Sequence, residues 1–214
     1  MSGPTASGPL ALGALDLAAL LCSRVCHDLI SPVGAIVNGI EVLDEDKDEE
    51  TRTFALDLIK KSAGQASARL QFCRLAFGAA GSAGAQIDTG DAEKVARGLL
   101  EDDKLKIVWN LPRELKPKNQ VKLLLNMLLV ANAAVPRGGT LTVETPEGAA
   151  GFRISASGLN ARVTPAIADL LVGSPAQPVD AHAIQPFYTG ILARDCGLAV
   201  TAAAVGDTVL VTAG

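Results

Sequence analysis

The sequence is poor in aromatic residues and in positive charge, and each shortage excludes a class of function. Aromatic side chains make up 3% of the 214 residues, so the chain lacks the stacking platforms that bind single-stranded nucleic acid. Its 19 basic and 23 acidic side chains give a net charge of −4, whereas a nucleic-acid-binding domain carries a basic cluster. We therefore expect no nucleic-acid partner. Hydrophobic residues still make up 49% of the chain, which predicts a mainly aliphatic core.

The chain also lacks C-x-x-C pairs and long apolar runs. Cys22 and Cys26 lie one helical turn apart beside His27, but three side chains at these positions cannot all face one ion. Small buried residues are the favoured interpretation of the two cysteines, and no metal site is expected. Reduced thiols are typical of a cytoplasmic protein. No uninterrupted apolar run reaches the ~18 residues of a membrane span, and Asp16 breaks the N-terminal apolar stretch, so we expect neither a membrane association nor an export signal.

Composition and periodicity divide the chain into three parts. Residues 1–13 are rich in Gly, Pro and Ser and predict a flexible N-terminus. Apolar residues at three- and four-residue spacing predict long helices over about 16–44 and 51–77, which form an antiparallel hairpin within residues 14–80. The stretch GAAGSAGAQ, residues 78–86, is rich in small residues and marks a linker before the second domain.

The predicted hairpin requires a partner. Two isolated helices, each roughly 40 Å long at ~1.5 Å per residue, cannot cover the apolar sides of both. Two hairpins packed side by side cover them as a four-helix bundle. The sequence therefore predicts a homodimer.

Beyond the linker the hydrophobic period changes, and residues 86–214 predict an α/β sandwich. Helices alternate with strands that are mainly antiparallel, so the fold class of the whole chain is α+β. The predicted elements are a helix over 91–100, a strand over 106–109, a helix over 118–135, strands over 140–145 and 151–157, a helix over 165–173 capped by Thr164, a helix over 185–197 and a hairpin over 198–213.

The stretch RVCHDLISP, residues 24–32, stands out in the first helix. It places an acid directly after His27 and a proline five residues beyond it, within a helical pattern. The order histidine, acid, two residues, small polar residue, proline resembles the H-box of sensor histidine kinases, here His27, Asp28, Ser31 and Pro32. The resemblance in layout covers about residues 16–214 and implies a dimerisation and histidine-phosphotransfer domain followed by a Bergerat-like ATP-binding domain.

The second domain departs from the kinase pattern at the residues that hold Mg-ATP. Asn126 matches the first asparagine of the kinase N-box, but Val130 occupies the second position and cannot bind Mg²⁺. Ala156 replaces the aspartate that reads adenine, and Asn160 replaces a glycine of the same box. No Walker-type phosphate loop occurs elsewhere. We therefore expect a degenerate ATP-binding domain that binds no ATP.

An intact histidine hairpin with a degenerate ATP domain resembles the ChpT-type histidine phosphotransferases. This family implies a dimeric intermediate in a bacterial two-component phosphorelay that regulates the cell cycle. It implies a donor, the receiver domain of a hybrid histidine kinase of the CckA type, and acceptors, the receiver domains of response regulators such as CtrA and CpdR. The partners that we expect are thus a second copy of the chain and these receiver domains.

The resemblance implies a phosphohistidine at His27. One imidazole nitrogen attacks phosphorus while the other keeps its proton, and Asp28 is placed to accept from Nδ1–H, which leaves Nε2 as the nucleophile. Ser31 satisfies a carbonyl freed by Pro32 or contacts the phosphoryl group. The chain shows no acidic cluster beside His27, so we expect no cofactor bound by this chain and Mg²⁺ supplied by the receiver.

Residues around His27 predict a docking surface for receivers. Small residues after the kink, Gly34 to Gly39, are expected to leave a shallow groove, and the second helix is expected to face it with a charged rim. The predicted partner-binding residues are Arg24, Ile30, Gly34, Asn38, Lys61, Gln65 and Arg69.

Other interpretations of these residues stay open. His27 is alternatively a buried core histidine, and Asp28 a surface charge or an ion pair with Arg24. His182 lacks similar neighbours in sequence and is assigned to a loop. The whole chain is alternatively an active ATP-dependent histidine kinase or a dimeric docking module that holds receivers without transferring phosphate.

Overall fold

Two long antiparallel helices form the N-terminal part of the molecule, in a computed structural model that describes residues 12–78, 84–146, 148 and 150–214. Helix α1 spans Ala14–Glu45 and helix α2 spans Glu49–Ala76. Both begin and end within two residues of the predicted limits. Most of the predicted flexible N-terminus, residues 1–11, and linker residues 79–83 lie outside the described residues.

The turn between the two helices satisfies the polar groups at both helix ends. The Asp48 carboxylate accepts from the backbone N–H of Thr51 at 2.9 Å and so caps α2. The Arg52 guanidinium donates to the carbonyl of Leu43, in the last turn of α1, and to that of Asp46, the residue that follows α1. Residues in and next to the turn between α1 and α2 thus cap both helix ends.

Gly39 marks a close contact between the two helices. A Cβ atom at this position would lie 2.6 Å from Cγ1 of Ile59 and 3.3 Å from the carbonyl oxygen of Ala55. Gly39 is buried against α2, so its inclusion in the predicted receiver groove was wrong. The absence of a side chain lets the helices approach each other.

Helix α1 is apolar but largely uncovered by the rest of its own chain. Among the described helices it alone has the length and composition of a membrane span, with a mean hydropathy of 1.4 over an 18-residue window, and 6% of that window is buried. Val33, Val37 and Ile40 are each 47–48% exposed. Their spacing of four and three residues aligns them along one side of the helix. We refer to these three residues as the α1 stripe.

The C-terminal domain is built around a five-stranded sheet. Its helices are α3 (Thr89–Leu100), α4 (Lys118–Ala134), α5 (Pro165–Val172) and α6 (Ile184–Asp195). Its strands are β1 (Gln86–Asp88), β2 (Leu105–Trp109), β3 (Leu115–Pro117), β4 (Gly139–Glu144), β5 (Phe152–Ser157), β6 (Val200–Val205) and β7 (Thr208–Ala213). The strand order is β2-β4-β5-β7-β6, in which β2 and β4 are parallel and the other pairs antiparallel.

Alternating burial along the central strands produces a sheet with helices packed on one face. Leu141 and Val143 on β4, Ile154 on β5 and Val211 on β7 are fully buried, while the residues between them are partly exposed. Helix α4 packs on this face with residues 121–128 all buried. The predicted fold class, α+β with an N-terminal helical hairpin and a C-terminal sandwich, is confirmed.

Two local features differ from prediction. Strands β1 and β3 pair antiparallel but have three residues each, too few to carry a readable alternation of apolar and polar residues. Thr164 precedes α5 as expected, but its side chain forms no capping hydrogen bond, and the helix begins directly with Pro165. The fixed φ of that proline suits the first helical position without a side-chain cap.

The base of the hairpin packs into the core of the second domain. Phe72 and Ala76, near the end of α2, are fully buried in the same apolar cluster as α4 and the sheet, and Leu17 and Leu21 of α1 pack against that cluster. The Asn126 side chain also donates to the carbonyl of Ala76 at 3.0 Å. These contacts join the two domains close to the turn of α1 that carries His27.

Candidate functional site

His27 lies on an accessible side of α1. Its side chain is 67% exposed, so it is not a buried core histidine. Nδ1 lies 3.6 Å from Oδ1 of Asp28, which is too long for a hydrogen bond but makes Nδ1 the ring nitrogen that faces the carboxylate. Nε2, on the opposite side of the ring, is the nitrogen left for an incoming group.

The Asp28 carboxylate serves two neighbours at once. While Oδ1 faces His27, Oδ2 accepts from Nε of Arg24 at 3.0 Å. The pair is one helical turn apart and partly shielded, with the Asp28 side chain 25% exposed. The ion pair with Arg24, one of the alternatives for Asp28, is therefore present together with the contact to His27. Arg24 holds the carboxylate in the orientation that faces the imidazole.

A small cavity of about 180 Å³ lies beside this pair, between the hairpin and the second domain. Arg24, Asp28 and Arg69 supply its charged groups, and Cys73 is among the residues that line it. Burial raises the pKa of the Cys73 thiol to about 11, and the negative charge of Asp28 acts in the same direction. Cys73 therefore stays a neutral thiol at neutral pH and is not activated as a nucleophile.

The other cysteines of α1 correct an expectation. Cys22 and Cys26 are exposed, so the interpretation as small buried residues was wrong, because only one side of α1 is covered by its own chain. In the part of the chain that the structure describes, no group of three or more His, Cys, Asp and Glu side chains is arranged to hold a metal ion.

Pro32 lies inside α1, where it frees a backbone acceptor next to His27. A proline has no N–H to donate four residues back, so the carbonyl of Asp28 lacks its helical partner. Ser31 is exposed, and its hydroxyl forms no hydrogen bond with any described residue, so the expectation that it satisfies a carbonyl freed by Pro32 was wrong. Its predicted role toward the phosphoryl group stays a prediction.

The predicted partner-binding residues all lie on the hairpin. Ile30 is 69% exposed, and a Cβ added at Gly34 would contact nothing within 4 Å. The exposed polar residues among them are Asn38, Lys61 and Gln65. Arg24 and Arg69 are closer to the histidine and share the cavity described above. These positions give the surface around His27 an open side, and their part in receiver binding stays a prediction.

The residues that align with the kinase N-box are used for packing. Asn126 is fully buried and donates to the carbonyls of Ala76 and Lys122, while Gln185 donates to the backbone carbonyl of Asn126 at 2.9 Å. Val130 is 2% exposed and borders a cavity of about 400 Å³. The aligned positions therefore present a satisfied amide and an aliphatic side chain.

The adenine-reading position is closed in a similar way. Ala156 is fully buried in β5, where it pairs with Leu141 and Val209 of the neighbouring strands. A methyl group there has no acceptor for an adenine amino group. The degenerate ATP-binding site stays a prediction.

His182, assigned to a loop from the sequence, lies in the turn before α6 and contacts the candidate site. The centroids of the His27 and His182 rings are 5.5 Å apart, with an angle of 78° between the ring planes. Sequence reasoning missed this neighbour because the two residues are far apart in the chain. The Asp180 side chain two positions earlier is typical of a fixed turn before a helix, but it does not indicate what the turn packs against.

In sequence and in fold the chain is similar to known phosphotransferases. A model of the histidine phosphotransferase C-terminal domain matches residues 89–208. The protein phosphotransferase ChpT of Brucella abortus (strain 2308) is 51% identical over 208 residues, which cover 96% of this chain and 98% of the relative. A bacterial phosphotransferase structure solved at 1.7 Å has a TM-score of 0.85 and 48% identity, and the match covers 97% of this chain and all of that one.

Proposed function

Because the chain belongs to the histidine phosphotransferase family, we propose that it carries a phosphoryl group on His27 between receiver domains. The observation that supports this role best is the exposed imidazole of His27, with Nδ1 facing the Asp28 carboxylate. Free imidazole is a good nucleophile near neutral pH, since much of it is unprotonated there. We therefore propose a phosphohistidine intermediate, and this arrangement supports it.

The proposed transfer begins at Nε2 of His27. Its lone pair attacks the phosphorus of an aspartyl phosphate in the receiver, and the N–P bond forms as the P–O bond to the aspartyl carboxylate breaks. That carboxylate leaves with the electron pair. The proton on Nδ1 stays on the ring, which becomes cationic, and the adjacent Asp28 offsets the developing charge. The reverse sequence delivers the group to the next receiver.

Asp28 acts in this proposal as an orienting group. Its two oxygens face different partners, so Arg24 fixes the carboxylate while the other oxygen favours the Nδ1–H tautomer of His27. Replacing Asp28 by asparagine removes the charge but keeps the size. We expect Asp28→Asn to slow transfer about 10- to 100-fold. This loss is at most the lower end of what a general acid or base contributes, because Asp28 only orients the ring. Single-turnover transfer from a phosphorylated receiver measures this effect.

Mg²⁺ is assigned to the partner. A loose phosphoryl-transfer transition state needs cations near its peripheral oxygens, and Asp28, the carboxylate beside His27, is already paired with Arg24. We propose that the receiver brings Mg²⁺ with its own acidic site. This chain then contributes the nucleophile, the tautomer control and the docking surface, and no cofactor of its own.

A homodimer is the second part of the proposal. The α1 stripe is nearly half exposed in one chain, and apolar surface of this extent on a long helix favours a protein partner. On α2, Phe54 and Leu70 are also more than half exposed. A second hairpin would cover these residues in a four-helix bundle and leave the exposed His27 of each chain accessible.

We also propose that the chain transfers phosphate without binding ATP. Val130 and Ala156 offer no ligand for Mg²⁺ or for adenine, and the Asn126 amide is already bonded to backbone groups. Equilibrium binding of a fluorescent ATP analogue with Mg²⁺ tests this claim. Saturable binding in the micromolar range would favour an ATP-dependent kinase instead.

The partners that we propose follow the resemblance and the 51% identity to ChpT. The donor is the receiver domain of a hybrid histidine kinase of the CckA type, and the acceptors are response-regulator receivers of the CtrA and CpdR type. All of these reactions are proposed to take place in the cytoplasm, where the four cysteines stay reduced.

A transfer assay tests the central claim. The wild type and His27→Ala are each mixed with a radiolabelled, phosphorylated receiver that has been freed of ATP. We expect acid-labile, base-stable label on the wild type and none on His27→Ala, which should fold like the wild type because the His27 side chain is exposed. Label on both proteins would place the acceptor elsewhere. Unchanged control of receivers by His27→Ala would favour the docking module.

A further inference from the structure

A second imidazole lies against the proposed nucleophile. The His182 and His27 rings meet edge to face, with centroids 5.5 Å apart, a geometry that aromatic rings prefer. These are the two histidines of the chain. His27 belongs to the hairpin, whereas His182 belongs to the second domain. The contact therefore brings the C-terminal domain to the reacting group.

The turn that carries His182 is held in place on both sides. The Asp180 carboxylate accepts from the backbone N–H groups of His182 and Ala183 at 2.9 and 2.8 Å, which fixes the turn before α6. Directly after it, Ile184 and Phe187 are fully buried. Their cluster also includes side chains of α1 one to three turns before His27, namely Leu17, Leu20 and Leu21. The position of His182 next to α1 thus follows from core packing.

The Asp28 contact alone does not hold the His27 ring. Oδ1 lies 3.6 Å from Nδ1, beyond hydrogen-bond range, and the side chain is 67% exposed. A histidine with this freedom rotates about both side-chain torsions, and productive attack requires one ring orientation. A second contact is needed to select it, and among the described residues the ring of His182 provides it.

We propose that His182 is a positioning residue for His27. Its ring packs against the His27 imidazole and restricts rotation, so that Nδ1 stays toward Asp28 and Nε2 toward the incoming receiver. This inference rests on the proposed role of His27 as phosphate acceptor. It also gives the second domain a part in transfer without any nucleotide, because that domain supplies the ring.

Packing, and not proton transfer, is the role that the geometry favours. The two imidazoles form a ring contact and no hydrogen bond with each other. The charged groups near them are Arg24, Asp28 and Asp180, each already engaged in an ion pair or a turn. An aromatic ring without a titratable group should therefore replace His182, whereas a small side chain should not.

The test compares His182→Ala with His182→Phe in single-turnover transfer from a phosphorylated receiver. We expect His182→Ala to slow transfer about 3- to 10-fold, the range that an aromatic pair contributes, and His182→Phe to stay within about 2-fold of the wild type. Gln177→Ala, exposed in the preceding loop, is the matched control and should transfer at the wild-type rate. Thermal unfolding of all variants checks that each is folded.

Nitrogen-15 NMR of the His27 side chain reports the tautomer of the imidazole, which does not depend on the overall stability of the protein. In the wild type and His182→Phe we expect the Nδ1–H tautomer to predominate, and in His182→Ala a mixture of the two tautomers. Equal losses in His182→Ala and His182→Phe, or wild-type transfer and tautomers in His182→Ala, would overturn the inference. The His27→Ala transfer assay tests the proposed function separately. Label on His27→Ala would contradict His27 as the phosphate acceptor, whatever result the His182 variants give.

Discussion

Helices α1 and α4 are both apolar, yet they bury their residues to very different extents. Pro32 and Gly39 are the buried residues of α1, whereas α4 buries the continuous run 121–128 and further residues beyond it. The partners of α4 are the sheet and the other helices of its own chain. For α1, α2 covers one side and the proposed second copy covers another. Similar compositions therefore form a complete core in one helix and, in our proposal, an interface in the other.

The difference also decides what polar residues on each helix are able to do. His27 on α1 keeps an exposed ring, because that side of the helix carries no core packing. Asn126 on α4 is fully buried, and its amide is committed to backbone carbonyls. A residue on the half-covered helix stays available to a partner protein. The residue on the enclosed helix has become a structural link between the domains.

Charging the α1 stripe tests the interface directly. We expect the double variant Val37→Glu with Ile40→Glu to be monomeric, since a dimer would bury two carboxylates from each chain at a cost of several kcal/mol. Sedimentation equilibrium of the wild type and variant measures the change. Val205→Glu adds a charge at an exposed apolar residue of β6 and should leave the dimer intact. A double variant that stays dimeric would place the interface elsewhere.

Equal truncations in the two helices should have unequal effects on stability. Leu128→Ala empties a fully buried position of α4 and should lower the free energy of unfolding by about 2 to 5 kcal/mol. Val37→Ala removes a half-exposed side chain and should cost about 1 kcal/mol or less in the monomeric state. Urea unfolding measures both losses, with each truncation made in a chain that carries the single substitution Ile40→Glu to weaken the proposed dimer. Similar losses would mean that α1 is enclosed within one chain.

Removing the Asn126 amide, which joins α4 to the end of α2, should have a smaller effect on stability. Asn126→Leu leaves the carbonyl of Ala76 without its side-chain donor, and we expect a loss of about 1 to 3 kcal/mol in the free energy of unfolding. Asn38→Leu makes the same change at an exposed position of α1 and should change stability by about 0.5 kcal/mol or less. Denaturant unfolding compares the two. No loss in Asn126→Leu would show that the link contributes little.

The reactivity of the cysteine thiols compares the two regions with the smallest change to the protein. Burial, and to a smaller extent the charge of Asp28, raises the pKa of the Cys73 thiol to about 11. The thiolate fraction of Cys73 at pH 8 is therefore roughly one in a thousand. Alkylation of Cys73 should therefore be slow at pH 8, and its rate should rise about tenfold per pH unit until it levels off near pH 11. Mass spectrometry after timed iodoacetamide treatment measures each site. In the charged double variant, where α1 is open, exposed Cys26 should react well before Cys73.

Sequence patterns predicted the limits of the helices and strands better than the burial of the residues on them. The limits of α1 and α2 follow from apolar spacing, and most strands of the sheet follow from alternation and turn residues. Strands β1 and β3 were missed because three residues show no period. Cys22 and Cys26 were expected to be buried, since apolar spacing indicates that a helix has a covered side but not how much of it its own chain covers.

The candidate site divides in the same way. The order of residues in RVCHDLISP was enough to propose the nucleophile and its acidic neighbour and to find the proline that frees a carbonyl, because each of these relations is local along one helix. The sequence also predicted which positions of the kinase nucleotide-binding pattern lack a matching side chain, since a missing carboxylate or amide is visible from residue type alone. Local chemistry needs no knowledge of the fold.

Only the tertiary structure decided what lies across from these residues. It placed the ring of His182 against His27, joined Asn126 to the end of α2 and brought Gly39 against Ile59. Each contact joins residues far apart in the chain, and their distance depends on how the whole core packs. That packing is a collective balance of many weak apolar contacts, which no single stretch of sequence contains.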